Sequence, residues 1–112
     1  MAFRGDFLPQ AALFPSARPA AAWKVDEFIG RMKSLAGKEL RSFHENVLGT
    51  QVRVFGNIAM AAVACENTEN DLDTNRNIEM MLLIKDEGTW KIAAQAWDKA
   101  TETNPVPKDL GG

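Results

Sequence analysis

The chain has no tyrosine, a single histidine (His44) and a single cysteine (Cys65) in 112 residues. One cysteine excludes an internal disulfide framework and fits a reducing compartment, so a cytoplasmic location is expected. One histidine excludes a histidine-rich metal site, and no metal centre or cofactor is expected. There is no run of lysine and arginine, and the net charge is -2. Phosphate backbones need a concentrated basic surface, so no nucleic-acid partner is expected. The longest unbroken apolar stretch, Ile58 to Cys65, falls far short of the ~20 residues that span a bilayer, so no membrane partner is expected. The opening MAFRGDFLPQ has no apolar segment of signal-peptide type and carries an early Asp6 and Pro9, so no leader is expected. There is no glycine-rich phosphate loop and no Ser/His/Asp arrangement. Asp71-x-Asp73-x-Asn75 copies the start of a calcium loop, but Arg76 and Leu82 stand where glycine and glutamate are required.

What is present is an ordinary globular balance, 46% apolar and 25% charged, over a length that suits one domain, residues 1–112. Residues 1–22 are broken by Pro9, Pro15 and Pro19, which limit any helix to a turn or two. Phe3, Phe7, Leu8, Leu13 and Phe14 are too many large apolar groups for a free tail. A short packed helix over Asp6 to Phe14 is expected, then an extended segment through Ala17. Val25, Phe28, Ile29 and Met32 follow helical spacing, with Asp26 and Glu27 in the first turn and a stop near Gly37. Phe28, Ile29 and Met32 should face a core.

The remainder reads as antiparallel strands. The first runs from Arg41 to Phe55 with a bend at Gly49, and Gly56-Asn57 is a turn. The second runs from Ile58 to Asn67, followed by a polar loop from Thr68 to Asn75. The third covers Asn77 to Lys85, the hairpin Asp86-Glu87-Gly88 follows, and the fourth covers Thr89 to Lys99. Residues 100–112, with two prolines and two terminal glycines, are expected to form a loose tail. Helices followed by a meander indicate an α+β domain. The strands carry apolar residues on both parities, among them Met60, Val63, Met80, Met81, Leu82, Leu83 and Trp97. A sheet with one wet face alternates more cleanly. Helices would cover one face and a second copy of the chain the other, which makes a homodimer through the sheet face an expectation.

The run VRVFGNIAMAAVACEN (Val52 to Asn67) and then IEMMLLIKDEGTWKIAAQAWD (Ile78 to Asp98) resembles the nuclear-transport-factor-2-like (SnoaL-like) superfamily. Phe55-Gly56, the alanine-rich strand to Glu66, the Lys85 to Gly88 hairpin and Gly88-Thr89-Trp90-Lys91-Ile92 occur in that family's order. VDEFIGRM and FHENVL resemble its bacterial branch of uncharacterised members. The resemblance covers roughly residues 24 to 100 and implies a cone: a curved antiparallel sheet wrapped around N-terminal helices, with a pocket between. It also implies dimers through the open sheet face. Two departures stand out. The family opens with a long helix, whereas only the Pro-containing residues 1–22 precede Trp23, so a short or missing first helix is expected. The family's aromatic-glutamate pair is here Cys65-Glu66, without the hydroxyl.

Candidate chemistry is sparse. His44 could act as a general base near neutral pH. Glu45, Glu66 and Glu79 lie on separate strands, and a carboxylate in an apolar pocket can shuttle a proton. Solvated or arginine-paired glutamates are the commoner case. Ketosteroid isomerases of the superfamily use an aspartate base with tyrosine and a protonated acid. This chain has no tyrosine, and Phe14 to Pro19 holds no acid, so that mechanism does not carry over. Gln95, Trp97, Asp98 and Met81 are expected to line the pocket, where apolar walls and a few polar groups suit a small apolar ligand. The leading functional expectation is therefore small-molecule binding. Behind it stand an isomerase or dehydratase using acid–base chemistry on a cyclic or polyketide-like substrate, and a dimerisation module without a ligand.

Overall fold

The computed structural model describes residues 4–27, 29, 43–69 and 73–112. Two tight hairpins organise the C-terminal half. The first joins β3 (Phe43–Phe55) to β4 (Ile58–Glu69) through Gly56-Asn57, with Gly56 at φ +56°. The last joins β5 (Asp73–Asp86) to β6 (Thr89–Lys99) through Glu87-Gly88. Both of its central residues have positive φ, 50° and 81°, the turn that matches the twist of paired strands. Strands β4 and β5 pair from Ile58–Ile84 to Glu69–Asp73. The pairing therefore runs into the stretch that the sequence suggested as a polar loop. Cross-strand pairing tolerates polar side chains such as Thr68 and Thr74, whose hydroxyls lie 3.4 Å apart.

The N-terminal segment corrects the sequence reading. The expected helix over Asp6 to Phe14 is instead a one-turn 3-10 helix, Arg4–Asp6, followed by strand β1, Phe7–Phe14. Phe7, Ala11 and Leu13 are buried, a period of two that outweighs the helical reading. Pro9 lies where the pairing of β1 with β6 is irregular, so its missing N–H removes no regular ladder bond. β1 runs parallel to β6, and β2 (Trp23–Lys24) pairs antiparallel with β1. The sheet is thus mixed rather than wholly antiparallel, with order β2-β1-β6-β5-β4-β3. It is curved and unclosed, as the cone requires. The bend expected at Gly49 is a bulge between Val47 and Gly49.

The register sorts side chains onto two faces. Trp23, Met81, Leu83, Ile92 and Trp97 share one face, where they pack with buried Phe7, Ala11, Leu13 and Val25. Residues 25–27 and 29 are helical, and Ile29 packs against this cluster, so we call it the helix face. The expectations for Phe28, Met32 and Gly37 fall outside the described residues. Along β3 the helix face is uncovered: Val52 and Val54 are exposed.

The other, open face carries Met60, Met80 and Leu82, all exposed, and one end of it is covered by the C-terminal segment. That segment, expected to be loose, packs. Val106 and Leu110 are buried against Ala64, with Leu48, Ala62 and Ile78 around them. Gln51 Nε2 donates to Asp109 Oδ2 at 3.1 Å, and Gly112 N donates to Pro107 O at 2.9 Å. Gly49 permits the approach, because a Cβ there would run into the Leu110 carbonyl. The prolines that suggested looseness also restrict the unfolded chain, which favours docking.

Candidate functional site

Alternate residues of β5 line up along the helix face: Asn75, Asn77, Glu79 and Met81. Across from them on β6 stand Lys99 opposite Asn77, Trp97 opposite Glu79, and Gln95 opposite Met81. Three of the four expected lining residues, Met81, Gln95 and Trp97, are therefore brought together. Asp98 is not. It points to the open face, exposed, where its carboxylate lies 3.8 Å from Arg18 and accepts from its neighbour Lys99 N at 2.9 Å.

Gln95 is the centre of the group. It is nine-tenths buried, and its Nε2 lies 3.4 Å from Glu79 Oε2, a long hydrogen bond. Its Oε1 is buried with no hydrogen-bond partner among the described residues. Leaving such an atom unpaired costs about 1–3 kcal/mol. Met81 and Trp97 are half-buried beside it and continuous with the apolar cluster. The group thus combines an aromatic wall, a thioether, a carboxylate and an amide with unused hydrogen-bonding capacity.

The other candidate acids and the histidine are placed differently. Glu66 registers on the open face and pairs with Arg76 at 2.9 Å, a partly exposed ion pair of small energetic weight. His44 and Glu45 stand opposite Thr68 and Asn67 on β3, and their side chains lie outside the described residues. Cys65 is buried within β4. No group of three potential metal ligands gathers among the described residues. None of their helices is long and apolar enough to cross a membrane.

The sequence reading missed two buried amides, Asn67 and Asn77, on the same face as Gln95. Asn77 Nδ2 donates to Asn75 Oδ1 at 2.9 Å, while Asn67 Oδ1 has no partner among the described residues. The signal was the alternation itself: Asn67 continues the parity of buried Cys65, and Asn77 that of Glu79.

Two grooves flank the sheet on the open face. One, about 310 Å³, lies between Met80, Ala96 and the C-terminal Pro105 and Leu110. The other, about 420 Å³, is lined by Gln51, Arg53, Met60 and Met80. Trp97 and Asp98, both expected lining residues, border the first and Met81 the second, but neither groove includes Gln95 or Glu79. The Gln95 Oε1, without a partner among the described residues, is the stronger marker of a ligand, because a groove on a sheet demands no occupant.

The family profile described as "Putative lumazine-binding" matches residues 1–98. The chain belongs to that family. Its structure is similar to that of an uncharacterised protein with a cystatin-like fold from Caulobacter vibrioides, at 14% identity and TM-score 0.70 over 90% of this chain and 75% of the other. A nuclear-transport-factor-2-like protein from Pseudomonas putida KT2440 gives 12% identity and TM-score 0.70, over 92% and 75%. A protein described as a "putative ketosteroid isomerase" from Shewanella frigidimarina gives 16% identity and TM-score 0.66, over 85% and 77%. At these identities the likeness is one of fold, the nuclear-transport-factor-2-like, cystatin-like fold. No curated protein sequence matches the chain.

Proposed function

We propose that this protein binds a small, largely apolar molecule on the helix face of its sheet, against Met81, Trp97 and the Glu79–Gln95 pair. The observation that carries the reading is the buried Oε1 of Gln95, which has no hydrogen-bond partner among the described residues. A buried polar atom in a native protein calls for a partner, and a ligand group is one that could supply it here. The family description names lumazine, a flat bicyclic heterocycle with neighbouring ring N–H and C=O groups. Such an edge fits a glutamine amide from both sides. The ring N–H would donate to Oε1, and the ring carbonyl would accept from Nε2, whose bond to Glu79 is long. The ring face would lie against the Trp97 indole, where offset stacking is favourable. The test is a titration of tryptophan fluorescence with lumazine, for the wild type and Gln95→Leu. Saturable quenching that weakens about tenfold in the variant is expected, a loss of about 1.4 kcal/mol. No quenching, or equal quenching in both proteins, would rule the reading out.

A second reading, an acid–base isomerase, is favoured by one feature: Glu79 is a half-buried carboxylate in contact with an amide on the same face. A general base needs such a position beside its substrate. Exchange of the α-protons of a cyclic ketone, abolished by Glu79→Gln, would support it over simple binding.

The partner proposed for the open face is a second copy of the chain. Met60 and Met80 are about three-fifths exposed there, with Ile58 and Leu82 also exposed, and a contiguous apolar sheet face is a typical self-association surface. A dimerisation module without a ligand is the reading that remains if the helix face binds nothing. A cytoplasmic location is proposed on the single buried cysteine.

A further inference from the structure

We propose that the free edge of β3 pairs with the same edge of a second copy, antiparallel about a two-fold axis at Val52, so that one sheet runs through both chains. β3 is the last strand in the order, and only β4 pairs with it among the described residues. Residues 50–58, which span the end of β3, its turn and the first residue of β4, are all exposed. Val52 is 60% exposed, Val54 57% and Phe55 82%, and these side chains lie on both faces of the strand. A long exposed edge of β-branched and aromatic residues is a ready template for another strand. Proline and lysine, which blunt such edges, are absent from residues 50–55.

The backbone selects the kind of partner. In an antiparallel ladder successive residues direct their N–H and C=O groups first to one neighbour and then to the other. The two-residue turn Gly56-Asn57 is closed by Phe55 and Ile58, which makes Phe55, Arg53 and Gln51 the residues bonded to β4. The bond from Lys85 N to Asn57 O gives the same phase, because it turns Asn57, and hence Ala59 opposite Val54, toward β5. Thr50, Val52 and Val54 therefore turn their N–H and C=O groups to the free edge. Groups in such a row pair with an extended chain.

The spacing of those residues selects a second copy. With the axis at Val52, Val52 meets the partner's Val52 and Thr50 meets the partner's Val54. Each such pair exchanges two backbone bonds, so every outward group of the three residues is used. Gln51 then stands against the partner's Arg53 on the open face. Its side-chain carbonyl can accept from the guanidinium while its Nε2 stays on Asp109 Oδ2. Neighbouring registers are worse. A one-residue slip opposes outward groups to inward ones. A two-residue slip one way sets Arg53 against the partner's Arg53, like charges directly opposed. The same slip the other way sets Val54 against the partner's Leu48, at the bulge where the strand leaves its regular ladder. This contact lies in the plane of the sheet, so it is separate from the open-face contact and neither requires the other.

The test is amide hydrogen exchange read by NMR across a concentration series, with sedimentation equilibrium on the same samples, for the wild type and Val52→Pro. The wild type is expected to self-associate, with the amides of Thr50, Val52 and Val54 slowing in proportion to the dimer formed. The amides of Gln51 and Arg53 are already bonded to β4 and should keep their rates. Proline at position 52 removes only an outward N–H, so β3 and β4 stay paired while dimerisation weakens about tenfold or more. Met60→Asp should leave the protection of the three amides in place, because Met60 lies outside the edge. A wild type that stays monomeric overturns the inference, and so does a Val52→Pro protein that folds and dimerises as tightly as the wild type. A dimer whose three amides exchange as fast as in the monomer overturns it and leaves the open face as the contact. Protection at every concentration would put the edge under the chain's own residues and overturn it as well. Should Val52→Pro fail to fold, the exchange pattern of the wild type decides alone.

Discussion

Gly49→Ala should destabilise the protein only while the C-terminal segment is present. Gly49 lies at the bulge of β3, and a Cβ added there would collide with the Leu110 backbone carbonyl. Backbone cannot swing aside as a side-chain tip can, so residues 106–112 must lift. Leu110 is 4% exposed and Val106 6%. Overpacking typically costs about 1–3 kcal/mol, and losing a buried leucine contact about 2–5 kcal/mol. We take about 2–3 kcal/mol as the expected loss, because the strap can shift partway rather than detach. For a chain of this size that lowers Tm by roughly 4 °C per kcal/mol, or about 10 °C. The decisive arm is a chain truncated after Pro105. There the added Cβ meets no Leu110, and alanine is favoured over glycine within a strand by about 0.5–1 kcal/mol. The sign should reverse: Gly49→Ala neutral or stabilising in the short chain, destabilising in the full one. Thermal melts of the four proteins measure the coupling. Equal effects of Gly49→Ala in both backgrounds would refute the close approach of Gly49 and the strap.

In the β5–β6 hairpin, Glu87→Gly should raise stability by about 0.5–1 kcal/mol, because Glu87 holds φ 50° at a steric cost that glycine avoids. A drop in Tm would show that the turn is held by the glutamate side chain instead. Met60→Asp should convert a dimer to a monomer in sedimentation equilibrium while costing the monomer no more than about 1 kcal/mol, since the side chain is exposed in the single chain. A wild type that sediments as a monomer at millimolar concentration would remove the open face as a self-association surface. Gln95→Leu should leave stability unchanged or raise it by about 1 kcal/mol, because it deletes a buried oxygen with no partner among the described residues and loses only a long bond to Glu79. A loss of several kcal/mol would mean that the amide is structural.

The C-terminal half was legible because its signals are local. Gly56-Asn57 and Glu87-Gly88 are separated by strands whose lengths force the register, and β6 falls on Thr89–Lys99 as read. The order of motifs between residues 24 and 100 was enough to resemble the superfamily. The N-terminal strand was not legible, because Pro9 and the alanines of β1 suggest a broken helix until the partner strand β6 is known. That pairing is parallel and joins residues more than eighty positions apart, which no local pattern reports. The C-terminal strap was missed for a similar reason. Proline and glycine spoke of a tail, while the docking site for Val106 and Leu110 is made by Ala64 and the absent side chain of Gly49. Within the candidate site, Gln95 and Trp97 were suggested by the resemblance, and it is the register of β5 and β6 that puts them on one face with Met81. Asp98 is off the face because it is the next residue after Trp97 along a strand of period two. Asn67 and Asn77 escaped notice because a polar residue near a loop reads as solvated until its burial is seen.

The central claim, that the helix face around Gln95 is a ligand site, is tested most directly by a crystal structure of the protein grown with lumazine. The account predicts density for the ring against Trp97, with a ring nitrogen within hydrogen-bond distance of Gln95 Oε1. Density confined to the grooves of the open face would contradict it, and so would a helix face filled by the protein's own side chains with Oε1 bonded to one of them.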